Sequence, residues 1–117
     1  MKQVIYGTVP SKSNCYKIVV IGRRASLAKT AALIKYEDSF YIQCNHYRDA
    51  GITGYFDFIM DVYYPNQRAD LDNSLKIVLD CLQRVRAIKN DNKCTGLTIR
   101  KFLDKANPRI EFEIKTV

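Results

Sequence analysis

The chain has 117 residues, 47% hydrophobic and 26% charged, which suits one globular domain over residues 1–117 and leaves no room for a second core. No apolar run approaches the ~20 residues needed to span a bilayer, and the N-terminal segment has no sustained apolar stretch or small-residue cleavage site, so neither a membrane span nor a signal peptide is expected. The formal charge of +7 is uneven: Lys2, Lys12, Lys17, Arg23, Arg24, Lys29 and Lys35 all precede the first acid, Glu37, and the signs balance thereafter, the pattern of a surface that meets a polyanion.

In chain order, residues 3–9 are β-branched and aromatic before Pro10-Ser11 and read as a short strand and turn. Residues 16–21 (YKIVVI) make a stronger strand, closed by Gly22. Leu27, Ala31, Ile34 and Tyr41 recur at near-helical spacing, with Ser26 or Thr30 as caps, and predict a helix over 28–45. His46 follows it as a surface or capping residue. Residues 55–64 alternate Phe56, Phe58, Met60 and Val62 against Tyr55, Asp57, Ile59 and Asp61, the period of a strand with one buried face.

The clearest helix spans 70–86, where Leu71, Leu75, Val78, Leu79 and Leu82 form an apolar stripe. A polar turn follows at 89–93, then strands over 97–102 and 110–114 around Asn107-Pro108. The order β-β-α-β-α-β-β predicts an α/β (α+β) domain with a mixed four- to five-stranded sheet and two helices on one face. Cys15, Cys44, Cys81 and Cys94 are dispersed without metal-ligand spacing and read as reduced, packed thiols. The cytoplasm is the expected location, in a bacterial, prophage or phage setting.

Chemistry concentrates in R-A-D-L-D-N-S-L-K, residues 68–76. Asp70 and Asp72 sit at the start of the second helix, near the end of a strand. Asp72, Lys76 and Asp80 share a helical face away from the leucine stripe. For D-x-D taken alone, helix capping and an ordinary i,i+4 ion pair are the simpler explanation. Two adjacent carboxylates, however, repel unless a cation lies between them, and Mg²⁺ takes such oxygen ligands. Asp91 supplies a third carboxylate beyond the helix. Without these three acids the chain carries +10, so an acidic cluster stands in a basic surround, as phosphodiester cleavage requires.

At these residues the sequence resembles the RusA family of Holliday-junction endonucleases. The resemblance runs through D-L-D-N-x-x-K (Asp70, Leu71, Asp72, Asn73, Lys76), the continuing L-D-x-L (Leu79, Asp80, Leu82), the turn with Asp91, and the strand bearing Arg100 and Lys101. Pro10, Lys12 and Asn14 are similar to that family's opening loop. The resemblance implies a homodimeric, Mg²⁺-dependent enzyme that nicks four-way DNA junctions symmetrically. It makes Asp70, Asp72 and Asp91 the metal ligands and, with Lys76, the catalytic set. Here the turn reads Asn90-Asp91-Asn92-Lys93 where the family carries paired acids, and Asp91 is taken as the ligand. Lys12, Asn14, Lys17, Arg23, Arg24 and Arg68 are the expected DNA contacts, with Arg84, Arg86, Lys93 and Lys101 extending the surface. The region around Tyr63 and Tyr64 and the N-terminal strand are the expected dimer surfaces. The competing expectations are a non-catalytic basic nucleic-acid-binding domain, and a protein-binding module in which D-L-D-N merely caps a helix.

Overall fold

Alternation decides the central strand. In the computed structural model, which describes residues 1–11, 14–68 and 74–117, β4 (Phe56–Tyr64) turns Phe56, Phe58, Met60, Val62 and Tyr64 into the core. Asp57, Ile59 and Tyr63 point to the other face, with Asp61, which is buried by its partner Arg100. Around β4 lie β1 (Gln3–Tyr6), β5 (Cys94–Leu103) and β6 (Arg109–Thr116), in the spatial order β1-β6-β4-β5. The β1–β6 and β4–β6 pairs are antiparallel, and β4–β5 is parallel. A parallel pair needs a crossover, and α2 (Leu75–Arg84) supplies it. The expected class, a mixed α+β domain with two helices, is the one found.

The second helix is driven by its stripe: Ile77, Val78, Leu79, Cys81 and Leu82 are buried. Its predicted first residues, 70–73, lie outside the described residues. α1 (Ala31–Gln43) is set one residue away from the sequence expectation. Its buried side chains are Leu33, Tyr36, Glu37 and Phe40, whereas Ile34 and Tyr41, expected on the inner stripe, are nearly half exposed. Phe40, Tyr47 and Phe58 all stack or tilt against Phe112 at centroid distances of 6.0, 5.7 and 5.7 Å. That cluster is the centre of the core.

Residues before α1 differ most from expectation. β2 (Tyr16–Ile21) pairs antiparallel with an additional strand, β3 (Arg24–Lys29), in a separate two-stranded ribbon. Gly22, at φ 64°, supplies the left-handed residue that a two-residue hairpin loop needs. Leu27 faces its cross-strand partner Ile18 and is 71% exposed, so its helical spacing was coincidence. The ribbon ends at Thr30, which begins α1: its Oγ1 accepts from Leu33 N–H at 3.3 Å and donates to the Asn14 carbonyl. Thr30→Ala is therefore expected to cost about 1 kcal/mol, measured by urea unfolding, with no loss in the slope of the transition.

Strand β1 stops at Tyr6 rather than at 9, because Gly7 turns the chain at φ 113°. Tyr64, expected at a partner-facing surface, is 2% exposed and belongs to the core. Tyr63 is half-buried and stacks on Phe102 at 5.0 Å. All four cysteines are free thiols, three of them buried, and burial pushes Cys81 up to about 12. His46 is exposed after α1, its N–H donating to Gln3 Oε1 at 2.8 Å. Among the described residues no helix is long and apolar enough to cross a membrane.

Candidate active site

One face of α2 is polar because its other face is consumed by the core. Lys76, Asp80 and Gln83 stand at i, i+4 and i+7, so they line up along that polar face. The chain returns past it after α2. Arg86, at φ 62°, reverses direction, and residues 86–89 pair with 51–52: Gly51 N–H donates to Arg86 O at 2.9 Å and Lys89 N–H to Ile52 O at 2.9 Å. A single 3-10 turn, Asp91–Lys93, then leads into β5.

That turn is fixed at both ends. Asn90 caps it, its Oδ1 accepting from Asn92 N–H at 3.0 Å. Asp91 N–H donates to Gln83 Oε1 at 2.9 Å. The Asp91 carboxylate is left to meet Lys76, whose Nζ lies 3.1 Å from Asp91 Oδ2 and 3.1 Å from Asp80 Oδ1. An ammonium thus sits between two carboxylates at the first turn of α2. Hydrogen bonds to Asp80 and Asp91 raise the Lys76 pKa, so it is charged throughout the neutral range. Asn90 spends its side-chain oxygen on the cap.

Asp70 and Asp72 lie outside the described residues, as does Lys12. Among the described residues no group of three or more His, Cys, Asp or Glu side chains is arranged to hold a metal. The donors that are described nonetheless suit a hard cation. Asp80 and Asp91 offer oxygen alone, and they already enclose a positive charge. Asp80 continues the polar helical face as expected, and its bridge to Lys76 is legible in the i,i+4 spacing, while the Gln83 anchor carries no sequence signal.

The site is next to the hairpin. Lys76, Ile77 and Asp80 of α2 share a cavity of about 270 Å³ with Cys15, Tyr16, Leu33 and Glu37. From there the ribbon carries Lys17, Arg23 and Arg24 outward, exposed and without carboxylate partners among the described residues. Asn14 is exposed at its base, and Arg68 is exposed beyond β4, its N–H donating to Asn66 Oδ1 at 2.9 Å. Other basic residues serve the fold. Arg84 pairs with Glu37 at 3.2 Å and Asp38 at 3.3 Å, and Lys93 lies over the Tyr55 ring at 4.9 Å.

A basic hairpin arm beside α2, where a lysine is held between two acids, suits contact with a polyanion. The family profile described as endodeoxyribonuclease RusA matches residues 22–115. The chain therefore belongs to the RusA endodeoxyribonuclease family, and the family implies a nuclease of the Holliday-junction resolvase type acting on branched DNA. Nucleases of this family are generally dependent on a divalent metal. No curated protein matches the chain.

Proposed function

We propose that the protein resolves four-way DNA junctions by paired, symmetric, Mg²⁺-dependent nicks, working as a homodimer in recombination and repair. The observation that carries this reading is the Asp91 carboxylate folded back onto the first turn of α2, 3.1 Å from Lys76. In the chain, that turn directly follows Asp70 and Asp72. Asp70, Asp72 and Asp91 are the proposed ligands. A bound divalent ion would supply polarisation of the scissile phosphate and activation of the attacking water. Lys76 neutralises the carboxylates and faces the phosphate, offsetting charge that develops during cleavage. Lys12, Asn14, Lys17, Arg23, Arg24 and Arg68 are the proposed DNA contacts, the cations holding the backbone. A two-fold dimer matches the two-fold symmetry of the junction and presents one site to each of two opposed strands.

The test is a synthetic four-way junction incubated with and without Mg²⁺, beside linear duplex of the same sequence. Symmetric nicks on the junction alone, only with metal, are expected. Asp72→Asn should abolish them while leaving the unfolding temperature within a few degrees of wild type. If that variant loses about 1 kcal/mol of stability and nothing else, Asp72 is a helix cap and the reading fails.

A further inference from the structure

We propose that a second cleft, beside the catalytic segment, is a pocket for one unstacked nucleobase of the strand being cut. The inference rests on the nuclease reading above and adds to it where that strand is held. The cleft, of about 770 Å³, opens between the loop after β1, the first turns of α1 and the segment leaving β4. That is within the ~300–1,000 Å³ usual for small-ligand pockets. Tyr6, Asn14, Lys35, Tyr36, Asn66 and Arg68 are among its walls. Arg68 precedes Asp70 by two residues in the chain, so whatever enters the cleft is close along the backbone to the proposed ligands.

Charge selects the occupant. Among the described residues the cleft has no acidic lining residue. Lys35 and Arg68 have no carboxylate partner among the described residues, whereas Lys29, Lys76, Arg84, Arg100 and Arg109 are all ion-paired. Two cations without a carboxylate partner among the described residues, in one concave site, match the phosphates that flank a nucleotide.

Hydrogen bonding narrows it further. The Asn14 side-chain amide has no partner among the described residues. Asn66 Oδ1 accepts from Arg68 N–H at 2.9 Å, and its amino group has no partner among the described residues. An amide that offers donor and acceptor side by side is suited to the edge of a base. Tyr6, 59% exposed at the rim, presents a ring on which a base can stack. Deeper in, Tyr36 is buried, and its hydroxyl has no hydrogen-bond partner among the described residues. A polar atom of the ligand, or a water it carries in, would satisfy that group. Extrusion of a base costs least where its pairing or stacking is already broken.

Four-way junctions carrying 2-aminopurine in place of one base at a time, on either side of the cut, test the pocket. Ca²⁺ replaces Mg²⁺ so that the strands stay intact. Fluorescence at one position should rise several-fold on saturation with protein. Cutting rates for the four natural bases at that position should spread by about tenfold or more. The double variant Asn14→Ala/Asn66→Ala, checked by thermal unfolding to be folded, should lose the fluorescence rise and narrow the spread to within about threefold. The pocket is overturned if no position brightens, if the double variant keeps the spread, or if a free nucleoside monophosphate binds as tightly as the junction. Brightening at one position by a protein that never nicks in Mg²⁺ would retain the pocket and overturn the nuclease reading. Nicking without brightening would do the reverse.

Discussion

Asp91→Asn is expected to slow junction nicking by about 10³-fold, the several kcal/mol of transition-state stabilisation that a misheld metal forfeits. The substitution is nearly isosteric, and its structural cost is small. The partner of Asp91, Lys76, has a side chain 66% exposed, and exposed ion pairs contribute about 0–1 kcal/mol. The backbone N–H that donates to Gln83 Oε1 is untouched, so the turn keeps its place. Removing a negative charge from a basic surround should leave junction affinity equal to wild type or tighter. Single-turnover nicking and a gel-shift titration, run on the same preparation, separate these effects. A nicking rate within tenfold of wild type would remove Asp91 from the catalytic set.

Phe112→Ala is expected to cost about 3–5 kcal/mol of stability, a large share of the ~5–15 kcal/mol that holds a domain of this kind. Phe112 is 1% exposed and is the one ring in contact with Phe40 of α1, Tyr47 of the following turn and Phe58 of the central strand. Its removal leaves a cavity where helix and sheet meet, which those neighbours can close only in part. Urea unfolding should show the midpoint falling with the slope unchanged. A loss under 1 kcal/mol would mean that the layer repacks freely and that the cluster is not the centre of the core.

What the sequence revealed follows from which interactions are local. β4 was legible because its alternation is answered by burial on one side, and α2 because its leucine stripe has one place to go. β3 was hidden. Arg24–Lys29 becomes a strand through its pairing with β2, and its largest apolar residue, Leu27, stays in solvent, so periodicity pointed to a helix instead. The phase of α1 slipped for the same reason: Leu33, Tyr36 and Phe40 face inward, and Ile34 and Tyr41 only resemble a stripe. At the candidate site, the acids could be named from their spacing. The return of Asp91 to Lys76 could not, since it depends on the 86–89 reversal and on the grip of Gln83 on the turn. Lys35 could be read only as part of the basic N-terminal third; that it lines one cleft with Asn66 depends on how α1 and the segment after β4 come together.

Glu37 ties the arm to the helix that bears Lys76. Its buried carboxylate is held by Lys29 at the foot of the ribbon, 3.0 Å away, and by Arg84 at the last turn of α2, 3.2 Å away. An isolated two-stranded ribbon is marginal by itself, and this clasp gives it a fixed bearing. Swinging the ribbon would take one of two cationic partners from a buried carboxylate. DNA gripped by Arg23 and Arg24 would therefore pull on the chemistry through a stiff strut, so that strand position at the arm sets strand position at the cut.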